Sequence, residues 1–81
     1  MESIVAFPTL HRFITTGGTI DVGRIDVIDC VAVASDSDTL WVALTRRSKE
    51  GLVDLLRRLD GTLERCLARN ERVDELHQLV Q

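Results

Sequence analysis

The chain has no tyrosine, one tryptophan, two phenylalanines, one proline and one methionine. A stacking platform for single-stranded nucleic acid needs several aromatic faces, and here only Trp41 offers one. The two cysteines, Cys30 and Cys66, stand far apart in apolar surroundings. They read as reduced core thiols, since a metal site requires more ligands at closer spacing. The two histidines, His11 and His77, have no cysteine or carboxylate beside them in a metal-ligand spacing. Apolar runs fall well short of the roughly 20 residues that span a bilayer. The first residues carry Glu2 where a secretory leader carries bases. These features predict a cytoplasmic protein with no membrane partner, no metal and no cofactor. Positive charge is also short: the formal net charge is −3 at pH 7, which speaks against a broad phosphate-binding surface.

What the chain does have is a strong helical period over residues 48–69. Leu52, Leu56, Leu59, Leu63 and Cys66 recur at alternating spacings of four and three, with Leu55 and Leu67 widening the stripe. Ser48 is placed to cap the first turn and Glu50 to meet the positive end of the helix dipole. Gly61 costs roughly 1 kcal/mol relative to alanine, yet the stripe keeps its phase across it. The spacing therefore predicts one helix from Ser48 to Arg69. Asn70 suits a stop, and Val73, Leu76, Leu79 and Val80 then form the apolar face of a short helix over residues 71–80.

Ahead of the main helix the period shortens to two. Residues 24–34 alternate and then become continuously apolar, residues 35–39 read as a turn, and residues 40–45 read as a strand. The Gly17-Gly18 pair, flanked by β-favouring residues, fits a hairpin turn. The expected architecture is α+β. An antiparallel meander of three to four strands over residues 10–45 is covered on one face by the long C-terminal helix, followed by the short second helix. Residues 1–9 form an arm or edge strand, and the whole is a single domain. Asp29, out of phase in its strand, suggests a bulge there.

The middle strand is apolar on both faces, and the chain supplies helical material for one layer only. The face expected to stay bare holds Cys30, Ala32 and Ala34 on one strand with Trp41 and Ala43 on the next. It should therefore meet another protein or a second copy of the chain, helped by Val73, Leu76 and Val80 of the last segment.

Residues 16–20, TGGTI, resemble the N-terminal signature of the bacterial-type asparaginases, in which the first threonine of TGGT is the nucleophile. That resemblance implies a large doubly wound domain and further catalytic groups. It spans only these five residues, and Asp21 stands where that family has a small residue. A threonine hydroxyl without an oriented base and an oxyanion site is not a nucleophile, so no catalytic residue is assigned. The remaining cluster is basic: Arg46, Arg47, Arg58, Arg65, Arg69 and Arg72 are candidate contacts to an acidic partner. Asp54, Asp60 and Glu64 are interleaved with them. The sequence thus predicts a non-enzymatic, homodimeric protein-binding regulator or inhibitor. Its size and lack of chemistry suit an inhibitor encoded by a phage or other mobile element, such as an anti-CRISPR. The alternative is a nucleic-acid-binding regulator that uses the arginine stripe.

Overall fold

The computed structural model describes residues 6–25 and 28–76. In chain order the elements are α1 (Pro8–Thr15), β1 (Thr19–Ile25), β2 (Ile28–Ser35), β3 (Leu40–Thr45), α2 (Leu52–Arg69) and β4 (Val73–Asp74). They form a four-stranded sheet in the order β1-β2-β3-β4. The class is α+β, but the sheet is mixed. The first three strands are an antiparallel meander, whereas β4 returns by way of α2 and runs parallel to β3. A purely antiparallel sheet was the expectation, because a two-residue strand leaves no period to read.

The second correction lies at the start. Residues 8–15, PTLHRFIT, form a helix, where the sequence suggested an arm and then a strand. Pro8 occupies the first turn, where its missing N–H is no loss. Thr9, Leu10 and Phe13 are buried. Phe7, at the N-cap, makes no side-chain cap bond. Instead Asp60, far along α2, accepts a 2.8 Å hydrogen bond from the Leu10 amide, satisfying one of the orphan donors of the first turn.

The Gly17-Gly18 pair then closes α1 and makes no hairpin. The Gly18 amide donates to the Phe13 carbonyl (2.8 Å) and the Gly17 amide to the Ile14 carbonyl (3.1 Å), the paired bonds of a Schellman cap. Gly17 has φ +105°, which favours glycine. A Cβ on Gly18 would lie 2.3 Å from the ring of Phe13, so the second glycine is required by close packing.

α2 begins at Leu52, with Gly51 at its N-cap, four residues later than expected. Residues 47–50 form a turn in which the Glu50 amide donates to the Arg47 carbonyl (3.0 Å) and Lys49 has φ +68°. Ser48 thus lies in that turn. Leu55, Leu59, Leu63 and Cys66 are buried along α2, whereas Leu52 and Leu67 are exposed. The helix runs through Gly61 and ends at Asn70, which is left-handed at φ 55°, ψ 47°. β4 takes Val73 and Asp74, where a helix was expected over residues 71–80. Helical backbone starts only at Glu75, and the end of that expected helix, with Val80, lies outside the described residues.

The core fills the space between the sheet and the two helices. Ala32, Ala34, Val42 and Leu44 pack there against Leu10, Phe13, Leu55, Leu59, Leu63 and Cys66. Small residues on β2 let α2 sit close to the sheet, and the leucines supply the volume.

Candidate interaction surfaces

Strand register decides which residues are available to a partner. Ala32 pairs with Leu44 and Ala34 with Val42, so these two alanines share the helix-covered face and are fully buried. Cys30, half-buried, packs on the same core. The expected grouping of Cys30, Ala32 and Ala34 with Ala43 on a bare face is therefore corrected. That grouping sets the facing strands one residue out of phase, and such a slip exchanges the two faces of a strand. Val31 and Val33 belong with Ala43 on the second face.

The chain itself reaches that second face. Leu76 packs against the cluster of Val31, Val33 and Ala43, in which Val31 is 1% and Ala43 0% exposed. Val73, on β4, packs against the main core. The last described residues thus cross from one side of the sheet to the other. The expectation that the chain cannot cover its second face does not hold around Ala43.

Trp41 sits at an irregularity of its own. Ala34 faces Val42 but Ser35 faces Leu40, leaving Trp41 as the extra residue of a bulge. The bulge turns its indole onto the main core. Its Nε1 donates to Asp36 Oδ2 at 3.0 Å. Asp36 also accepts from the Asp38 and Thr39 amides at 2.9 and 2.8 Å. These donors, the indole first, hold its carboxyl below the usual range. Trp41, within β3, is therefore tied to the β2–β3 turn through Asp36 and is not the centre of a bare sheet face. The bulge expected at Asp29 is present: between the pairs Gly23–Val31 and Ile25–Ile28, Asp29 and Cys30 of β2 stand against Arg24 alone, and the shift at Trp41 is a second one.

Arg58 leaves the outward arginine stripe altogether. Its Nε donates to Glu50 Oε2 and its Nη2 to Glu50 Oε1, both at 2.9 Å, a bidentate fork. Nη2 also donates to the Thr45 carbonyl at 2.8 Å, and Nη1 to Glu75 Oε2 at 3.3 Å. Glu75 Oε1 in turn accepts from the Thr45 amide at 2.9 Å and from the Thr45 hydroxyl at 3.3 Å. The Arg47 amide donates to Glu50 Oε1 at 2.9 Å, and the Arg47 guanidinium lies 3.9 Å from Glu75. The Arg58 and Glu50 side chains are only 18% and 11% exposed. The guanidinium, with help from the Arg47 amide, pulls the Glu50 carboxyl down to about 2, and Glu50 raises the Arg58 pKa. One guanidinium thus ties together the end of β3, the turn before α2, α2 itself and the exit of β4. Among the remaining candidates, Arg46, Arg47, Arg65, Arg69 and Arg72 are exposed.

The threonine of TGGT is also occupied. Thr16 Oγ1 lies 3.0 Å from the Arg12 carbonyl and 3.1 Å from that of Phe13. Among the described residues no group of three or more His, Cys, Asp or Glu is arranged to hold a metal ion, and no helix is long and apolar enough to cross a membrane. Burial raises the pKa of the Cys66 thiol, which opposes thiolate chemistry there.

The surface that sequence reasoning missed is the edge formed by β1. Residues 24–34 read as one strand, which conceals the boundary between β1 and β2 and, among the described residues, the place of β1 at the end of the sheet. Seven residues long, β1 pairs with β2 on one side. The opposite edge, β4, has two residues. Val22 shares the helix-bearing face with its partner Ala32, yet it remains 41% exposed at the margin of the core. α1, which packs on β1, carries Ile14 at 54% exposure.

Comparison with known proteins finds no matching family model, curated protein or solved structure. The functional reading therefore rests on these surfaces.

Proposed function

We propose that the protein is a non-enzymatic protein-binding module, a homodimeric regulator or inhibitor that engages its partner by strand addition at β1. The observation that carries this reading is a seven-residue sheet edge bordered by exposed Val22. Outward backbone amides and carbonyls of an edge strand form a ready ladder for an incoming strand. The engagement of the Thr16 hydroxyl with its own helix supports the non-enzymatic reading. The inhibitor class suited by size, that of mobile-element proteins, falls within this proposal. The nucleic-acid reading keeps Arg65 and Arg69 on α2 but loses Arg58 to the Glu50 and Glu75 carboxylates, and no observation favours it.

The test is affinity capture from the native host with the wild-type chain and with Val22→Asp, alongside light scattering of each. Self-assembly, or a captured protein, that is present with wild type and lost with Val22→Asp supports the reading. A monomer whose captured proteins are identical for both chains overturns it.

A further inference from the structure

Resting on that reading, we infer that the strand added to β1 is β1 of a second copy, antiparallel across a twofold axis, with Val22 opposite its own counterpart. A twofold axis normal to an antiparallel pair sets each residue opposite one whose backbone groups point the same way, so the axis passes through a residue position. Within the regular part of β1, ahead of the register shift between Gly23 and Ile25, few centres are available. Centring on Ile20 would leave most of the strand unpaired. Centring on Asp21 sets two carboxylates directly opposite each other, which is destabilising. Centring on Gly23 places the axis on a residue with φ +155° and no side chain to pack. Centring on Val22 pairs valine with valine, Asp21 with Gly23, and Ile20 with Arg24. No like charges then face each other, and the carboxylate of Asp21 lies beside a glycine.

The surroundings of the strand agree with this register. Val22 lies on the face that carries α1 and α2 and is 41% exposed. A second copy would continue that face past Val22 and extend the core across the axis. The other sheet edge, β4, is too short to serve, and Leu76 already packs on the second sheet face. The rival explanation is that Asp21, Arg24 and the register shift protect the edge against any pairing, as edge strands of monomers do.

Directly opposed residues in an antiparallel pair have Cα atoms about 4.5–5.5 Å apart, inside the range that a disulfide bridges. The full chain carrying Val22→Cys should therefore form a disulfide-linked dimer under mild oxidation. Asp21→Cys and Arg24→Cys, tested in parallel with the wild-type chain as a background for Cys30 and Cys66, should form far less. Light scattering of the reduced wild type at micromolar concentration should give twice the 9.1 kDa of one chain. Val22→Asp, at an exposed position, should return the mass to that of one chain with an unchanged far-ultraviolet dichroism spectrum. A dimer in which Val22→Cys links no better than its neighbours overturns the Val22 register and leaves a protein-binding module that pairs elsewhere. A wild-type monomer overturns the second copy as partner. The strand-addition reading then stands if a foreign protein is captured by wild type and lost with Val22→Asp, and falls with it otherwise.

Discussion

Arg58 grips Glu50 through two nitrogen–oxygen contacts of 2.9 Å, across the turn that precedes α2. This pair makes stability depend on acid. Glu50 has a folded pKa of about 2 against an ordinary value of 4.5. A carboxyl whose pKa is depressed by folding stabilises the native state above its unfolded pKa, and that stabilisation is lost as pH falls through the folded value. The melting temperature should therefore fall between about pH 4.5 and pH 2. Glu50→Gln should lower stability at pH 7 and flatten that acid limb. A limb of unchanged steepness in Glu50→Gln would show that other carboxylates govern it.

The cap that ends α1 is tested at its two glycines. Gly18→Ala puts a methyl carbon 2.3 Å from the Phe13 ring, and overpacking of this kind costs about 1–3 kcal/mol. Gly17→Ala meets no neighbour but must adopt φ +105°, a backbone penalty of about 1–2 kcal/mol. Urea unfolding should rank both below wild type. Trimming the ring, as Phe13→Leu in the Gly18→Ala background, should return part of the loss for Gly18→Ala only.

Gly61 offers the opposite sign. It lies inside α2 with nothing within 4 Å of the Cβ it lacks, so alanine adds helix propensity without a clash. Gly61→Ala should stabilise by about 1 kcal/mol, which raises the melting temperature by roughly 4–8 °C in a domain of this size. No gain in thermal unfolding would mean that the glycine is needed for a contact the free chain does not make.

These cases also show why some of the fold is legible in sequence and some is not. α2 announces itself because Leu55, Leu59, Leu63 and Cys66 keep a helical period, and Asn70 marks its end. β2 and β3 show as apolar runs on either side of the turn residues 36–39, although nothing in residues 24–34 marks where β1 ends and β2 begins. α1 is hidden because Phe13, Ile14, Thr15 and Thr16 favour strands locally, while Gly17-Gly18 suits a hairpin as well as a helix cap. The choice falls to tertiary contacts: Asp60 capping Leu10 from fifty residues away and Phe13 lying over Gly18. Sheet faces are not legible because composition does not fix register, and the bulge at Trp41 moves the indole to the other face. The Arg58 cluster joins positions 45, 50, 58 and 75, and no spacing along the chain connects them.

Leu76 separates a self-covered second sheet face from one awaiting a partner. It packs on Val31, Val33 and Ala43, while its neighbour Glu75 is fastened to Thr45 and Arg58. Leu76→Ala, at a half-buried position, should cost about 1–2 kcal/mol, below the range for a fully buried leucine. If the face belongs to the chain's own fold, that loss appears in chemical unfolding without any change in solution mass. If the face were instead the dimer contact, Leu76→Ala would shift the monomer–dimer balance and make stability depend on protein concentration. Unfolding midpoints measured over a hundredfold range of concentration decide between these outcomes. The packing of Leu76 against buried Val31 and Ala43 predicts the first, with any concentration dependence following Val22→Asp and not Leu76→Ala.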